Sequence, residues 1–446
     1  MTAAALARSI PDRPPSPASL WAATAPAAPR RPAASGELQA EVVVVGGGYS
    51  GLSTAHHLAE RGVEALVLEA NEVGWGASGR NGGVVSGKFR LGFAEMERLH
   101  GLETARRMHA IGREAVEAVE ALIARYGIAA ARLQANGNLR CAHNARQLGL
   151  LAAEADWLAG RLGDRSYELL PAGTIAEETG SAGFVGGLLG HHAATLHPLG
   201  YARGLAAGLE RRGVRIREAT PALRVRRDGA GLLVETPEAA IRAGKVVLAT
   251  NAYSDLTPAS DRLRRSLVPF RSAIIATAPL PPALDAGLLA RERSYSETRR
   301  MMRWFRKVEG RIVFGGRGAF GKTDSEAAFE GLRRAMVGLF PELADVRVAY
   351  RWSGLVGMTL DKLPHVGRLE AGPFEGRLAF AAGFNGAGVA LSSLIGRYLA
   401  AFLCGETPEV ALLDAARLRP IPCPALREPA VRLTAGLYQF LDFIGR

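Results

Sequence analysis

The sequence predicts a mixed α/β fold, in which a parallel-sheet unit is joined to a second domain built on a mainly antiparallel sheet. Three observations predict it. A β-branched run at 41–45 is followed by a glycine cluster, a helical segment ending at Gly62 and a second apolar run at 65–68. Strand and helix signals then interleave as far as residue 265. After 266 longer strand-like runs appear, at 272–278 and 311–315, before a final strand, turn and helix over 378–403. With 446 residues, 48% hydrophobic and 22% charged, the chain is long enough for two or three lobes and a large core, and disorder, collagen and coiled coil are excluded.

Taken in order, residues 1–37 are rich in Pro and Ala, which breaks regular helix and leaves little apolar surface to bury, so an extension is expected. The 41–68 stretch reads as β-α-β. Residues 93–126 carry Ala115, Val116, Val119, Leu122 and Ile123 at helical spacing without proline and are expected to pack on that unit. Pro198 opens a helix reaching about Arg212, and 246–249 reads as another strand. The interleaving implies discontinuous domains: 38–130, 196–265 and 351–412 form one, 131–195 and 266–350 the other, and 413–446 a tail. The most apolar stretch, 386–404, carries Arg397 near its middle, so a buried helix is expected there and not a membrane span.

The formal charge of +12 invites a nucleic-acid reading, but Lys88, Lys245, Lys307, Lys322 and Lys362 are the only lysines among 55 basic residues. That arginine bias resembles genome composition, the charges are dispersed, and no aromatic nucleic-acid motif accompanies them, so no nucleic-acid partner is expected. Cys141, Cys404 and Cys423 lie far apart, which argues against a disulfide framework and for a reducing, cytoplasmic setting. His191, His192 and His197 lack a carboxylate at useful spacing, so no metal is expected, and no nucleophile elbow is present to support hydrolysis.

Gly46-x-Gly48-x-x-Gly51 stands directly after a strand and opens a helix, the context that makes this pattern a dinucleotide-binding, Rossmann-like signature. Gly46 permits the tight turn, Gly48 the approach of a pyrophosphate, and Gly51 close helix packing, while the helix N-terminus offers free N–H groups. Glu69 ends the second strand at about the distance, roughly 20 residues on, where an acid hydrogen-bonds a ribose. The unit alone does not separate NAD from FAD. A second strand-turn-helix, through Gly383, Gly386 and Gly388, offers another set of N–H groups that would stabilise a reduced, electron-rich cofactor edge.

The longer pattern Gly46-Gly47-Gly48-x-x-Gly51-Leu52-x-x-Ala55-x-x-Leu58-x-x-x-Gly62, closing on Val67-Leu68-Glu69-Ala70, resembles the extended FAD motif of two-dinucleotide-binding-domain flavoproteins. Gly74-Trp75-Gly76-Ala77-Ser78-Gly79-Arg80-Asn81-Gly82-Gly83 resembles the D-amino-acid-oxidase-like superfamily, particularly its gamma-glutamylputrescine oxidoreductase branch. Val246 to Tyr253, Arg351-Trp352-Ser353-Gly354, Thr359 to Gly367 and Ala382 to Val389 extend the likeness over nearly the whole chain.

That resemblance implies FAD, held by Gly46, Gly48, Tyr49, Ser50 and Gly51, by Glu69 and Ala70, and by the loop residues Gly76, Ala77, Ser78, Arg80, Asn81, Gly82 and Gly83. Ala222, Thr250 and Asn251 are expected on the adenosine side, and Gly354, Gly383, Phe384, Asn385, Gly386, Ala387, Gly388 and Val389 beside the flavin ring. Relatives with covalent flavin carry a cysteine where this chain has Gly354, or a histidine in the region of 76–83, so non-covalent FAD is expected. Ala387 and Ala390 replace a histidine and a carboxylate-binding lysine of other members. The oxygen-activating lysine is missing near Val313, with Lys307 in the same hairpin, and oxidase and dehydrogenase stay open. The implied reaction is hydride transfer from a C–N bond of an amine or amino acid, gamma-glutamylputrescine-like or secondary and cyclic, giving an imine that hydrolyses. Oxygen, yielding hydrogen peroxide, or a quinone is the implied acceptor; the rival reading is a non-catalytic FAD-binding protein. Arg303, Phe305, Arg306, Trp352 and Phe384 are the candidate substrate-pocket residues, an arginine to hold a carboxylate and aromatics to enclose the carbon chain.

Overall fold

The computed structural model describes residues 16–319, 325–369 and 374–423, together with positions 426, 429, 433 and 436. Its first sheet has strand 36–45 at the centre, parallel to 239–248 on one side and 65–68 on the other; 378–382 and 215–217 extend it in parallel and 365–368 closes one edge antiparallel. The hairpin of 224–228 and 231–235 continues from 239–248. Val42, Val43, Val44 and Val45 are all nearly inaccessible. A strand buried on both faces reads as a continuous apolar run, which is why no alternation marks it in the sequence.

One face of this sheet is covered by the helices Tyr49–Ala59, Leu102–Tyr126, Pro198–Glu210 and Gly388–Leu403. The 93–126 segment is two helices rather than one stretch, because Gly101 at φ 86° ends Phe93–His100 and starts the next. Pro198 holds the first helical position, as its fixed φ favours, and the His197 ring accepts the Gly200 N–H at 3.0 Å to cap that helix.

The second sheet runs in the order 348–358, 268–277, 311–319, 303–308, 294–297, 138–142, 186–190, 167–171, antiparallel except where 294–297 runs parallel to 138–142. The strand Val348–Met358 pairs with Val268–Thr277 from Val348 to Met358, so residues 351–358 belong to this sheet and not to the first domain expected from the sequence. An aromatic stack of Tyr295, Phe305 and Phe314 forms its core, with rings 5.6 and 5.7 Å apart.

The N-terminal stretch also departs from expectation. Of the segment read as an extension, 1–15 lies outside the described residues, but 16–35 is docked on the domain. Ser19 caps a single helical turn, Leu20–Thr24, whose Leu20 and Trp21 are completely buried. Proline breaks long helices but permits one capped turn between prolines, and that turn carries two large apolar side chains. The expected tail likewise starts in the core, with Leu413 buried and Asp414 bridging to Val366. Among the described residues no helix is long and apolar enough to cross a membrane.

Candidate cofactor and substrate site

A cavity of about 870 Å³ lies where the two sheets meet. Its floor is the turn after strand 36–45, where Gly46 takes φ 117° and Gly48 stands immediately before the Tyr49–Ala59 helix. Gly48, the N-cap residue, has no side chain to cap that helix, and the Tyr49 N–H donates to Ser78 Oγ at 3.0 Å. Gly46, Gly48, Tyr49 and Ser50 line this end, while Gly51 packs behind it against the Gly46 carbonyl. Glu69 and Ala70 line the next portion together with Thr220, Pro221 and Ala222, the Thr220 N–H donating to the Glu69 carbonyl at 2.8 Å.

The Glu69 carboxylate accepts the Gly47 N–H at 2.8 Å and the Asn71 N–H at 2.9 Å. Burial pushes its carboxyl up to about 7, opposed by those same N–H groups.

Gly76, Ala77, Ser78, Arg80 and Asn81 form one wall of the other end. Arg80 donates from Nε to the Trp75 carbonyl at 2.7 Å and lies 4.3 Å over the Trp75 ring, whose edge meets Tyr253. Thr250 and Asn251 line the facing wall. Asn251, at φ 43°, accepts the Gly383 N–H through Oδ1 at 2.8 Å and so ties the end of one strand to the turn after another. Phe384, Gly386, Gly388 and Val389 also line the cavity, at a second helix N-terminus without a side-chain cap. Gly383, Asn385 and Ala387 shape this turn from behind: the Asn385 N–H donates to the Gly357 carbonyl at 3.0 Å and its Oδ1 accepts the Thr359 N–H at 3.0 Å.

Two helix N-termini whose N-cap residues lend no side chain, a glycine cradle that a Cβ at Gly48 would fill, and a buried carboxylate hydrogen-bonded to Gly47 suit a dinucleotide: phosphate at a helix start, ribose at the acid. Gly82 and Gly83 lie beyond the wall, with Gly82 against the Trp304 ring, and Gly354 lies against the Arg80 side chain, 3.1 Å from a Cβ built there to that of Arg80.

Of the expected substrate-pocket residues, only Phe384 lines the cavity. Phe305 is fully buried in the aromatic core, because alternation along 303–308 sends it to the far face of the sheet. Arg306 is buried; its guanidinium donates to the carbonyls of Gly82, Gly83 and Leu196, and desolvation lowers its pKa to about 10, still a cation at neutral pH. Trp352 is buried, with its indole N–H on the Arg80 carbonyl, and Arg303 pairs with Glu297 at 3.4 Å. The cationic side chain from the second sheet that does line the cavity is Arg271, whose Nη1 donates to Ser353 Oγ at 2.6 Å. It precedes the expected strand 272–278 by one residue, and only the register of that strand reveals which face it occupies. Trp75 and Tyr253 stood within the motifs already quoted, whereas Ser16, Pro17 and Ala18, which also line the cavity, carried no signal.

The sequence model of the DAO family, described as FAD dependent oxidoreductase, matches residues 41–402. The chain is 31% identical to a probable oxidoreductase OrdL of Haemophilus influenzae, covering 90% of this chain and 92% of that protein. It is 31% identical to gamma-glutamylputrescine oxidoreductase of Escherichia coli, covering 91% and 93%. The crystal structure of glycine oxidase from Geobacillus kaustophilus superposes with a TM-score of 0.70 at 21% identity, over 85% of this chain and 99% of that one, which shows the shared fold.

Proposed function

The chain belongs to the DAO family of FAD-dependent oxidoreductases, and from that premise we propose that it oxidises the C–N bond of an amine or amino acid that carries a carboxylate, using non-covalently held FAD. The observation that carries this reading is the single cavity in which the dinucleotide cradle and Arg271 meet. FAD, when bound, supplies the hydride acceptor for the carbon that bears the nitrogen, and the donor leaves as an imine that water hydrolyses. The protein's share is positioning and exclusion of water. The start of the Tyr49–Ala59 helix holds the pyrophosphate and Glu69 the ribose. The start of the Gly388–Leu403 helix offers N–H groups to the electron-rich edge of the cofactor. Arg271 orients the donor carboxylate, and Trp75, Tyr253 and Phe384 enclose the space around it. The donor reacts as the free amine, and the one carboxylate among the described lining residues, Glu69, is assigned to the ribose.

Gamma-glutamylputrescine and secondary or cyclic amino acids are the proposed donors, oxygen the proposed acceptor, and the cytoplasm the proposed compartment. The test is the visible spectrum of the purified protein during anaerobic addition of these compounds. Bleaching of the flavin bands supports the reading, and rapid recolouring in air supports oxygen as acceptor. A yellow protein that none of them bleaches overturns it.

Two further outcomes are expected. Arg271→Ala raises KM for carboxylated donors by roughly tenfold to a hundredfold, the scale of one charge-assisted pair, with kcat changed less. Equal KM for wild type and variant removes Arg271 from the pocket. For Glu69, the folded carboxyl near 7 lies above its ordinary 4.5, so the folded apoprotein binds more protons than the unfolded chain in that window and loses stability as pH rises through it. The ionised form is the stronger acceptor for a ribose hydroxyl, so FAD affinity rises with pH through about 7. In Glu69→Gln that rise disappears; an unchanged pH profile by fluorescence titration places the dependence on another group.

A further inference from the structure

The loop that walls the cofactor cavity has its backbone carbonyls taken one after another by buried donors from distant parts of the chain. Trp352 Nε1–H donates to the Arg80 carbonyl at 2.9 Å and Trp21 Nε1–H to the Asn81 carbonyl at 2.9 Å. Arg306 donates to the carbonyls of Gly82 and Gly83 at 3.2 and 3.3 Å. The donors form one contiguous cluster: the two indoles meet edge to face with centroids 6.0 Å apart, and the Arg306 guanidinium lies 5.9 Å from the Trp21 ring. Four successive carbonyls therefore converge on one side of the loop. Its N–H groups at Asn81 and Gly82 have no hydrogen-bond acceptor among the described residues, and Asn81 lines the cavity.

Trp21 differs from the other donors in belonging to the N-terminal stretch, which is held at several points. His197 is kept neutral by burial, which lowers its pKa to about 4. Its Nδ1 accepts the Gly200 N–H, so Nε2 carries the proton and donates to Thr24 Oγ1 at 3.0 Å. Arg31, with its side chain 3% exposed, binds both Glu210 oxygens at 2.8 Å and Glu218 at 2.9 Å. Glu218 also accepts the Val73 N–H at 2.8 Å, immediately ahead of the glycine-rich loop. The same segment thus reaches the loop at both ends, at Val73 through Arg31 and Glu218 and at Asn81 through Trp21, while Ser16, Pro17 and Ala18 complete the cavity wall.

We propose that residues 16–31 form a strap that completes the FAD site, and that Trp21 is a positioning residue that fixes the Arg80–Gly83 loop so that the free Asn81 N–H meets the cofactor. The proposal rests on FAD occupying the cavity and not on the identity of the donor. The test takes the full chain with Trp21→Phe, which keeps a ring in the pocket and leaves the Asn81 carbonyl buried and unpaired. The expected result is a rise in the FAD dissociation constant of roughly tenfold, together with a changed visible circular dichroism of the flavin at saturating FAD, a signature that loss of packing alone does not move. Wild-type affinity with an unaltered flavin dichroism overturns the proposal. A second measurement needs no variant: hydrogen exchange of the wild-type chain with and without FAD. Added FAD is expected to slow exchange in 16–31 together with 77–83, and protection of 77–83 without 16–31 overturns the strap. Both measurements read FAD binding, so failure of every amine to bleach the flavin leaves them intact.

Discussion

Gly51→Ala is expected to lower the stability of the protein by about 3 kcal/mol or more, a larger effect than most single substitutions produce. A Cβ built at Gly51 lies inside the contact radius of the Gly46 carbonyl oxygen and 3.2 Å from Val44 Cγ1. Neither neighbour can withdraw. Gly46 holds φ 117° to turn the chain out of the central strand, and a Cβ on it would in turn meet the Ala249 carbonyl at 2.9 Å; Val44 is wholly buried. The methyl group must therefore push the helix off the sheet, where its Leu52, Ala55 and Leu58 are packed with no exposed surface. Chemical denaturation of the apoprotein measures the loss, and wild-type stability would mean that the helix start is softer than its packing indicates.

Gly48→Val is expected to leave the fold in place and reduce FAD affinity at least about a hundredfold, roughly 2.7 kcal/mol. Gly48 is the residue before the helix and faces the cavity, so the neighbour a side chain would meet is not backbone but Ser78 Oγ, 2.8 Å from where its Cβ would stand. A valine there displaces Ser78 from the Tyr49 N–H and occupies the approach to the helix start, where the pyrophosphate is proposed to lie. Flavin content after gel filtration, with calorimetric FAD titration of the apoprotein, checks this. Retention of FAD at wild-type stoichiometry sinks the assignment of this turn. Together the two substitutions separate the glycine that packs from the glycine that admits the ligand.

The parallel half of the fold was readable because its signals are local. The 65–68 strand emerges as Ala65–Leu68, and the proline-led helix emerges as Pro198–Glu210, near its expected end. The glycine turns and helix starts that line the cavity were readable for the same reason, because they leave marks in consecutive residues. The side chains that the second sheet turns to the cavity left none. Whether an arginine on a strand reaches a cavity depends on the face it occupies, and one residue of register reverses that face. Arg303, Phe305 and Arg306 sit on the expected hairpin, yet two serve the core or the loop and the third an ion pair, while Arg271 on a neighbouring strand reaches the cavity. Trp21 was hidden differently, because a proline-rich composition describes how poorly a segment folds alone and says nothing of a partner surface waiting for it.

The cavity draws its walls from residues as far apart as 16 and 392, and the strand Leu378–Ala382 and helix Gly388–Leu403 that finish it are among the last elements of the domain to leave the ribosome. A nascent chain therefore lacks the second helix start until late in its synthesis, and the cavity is closed only after residue 392 has emerged.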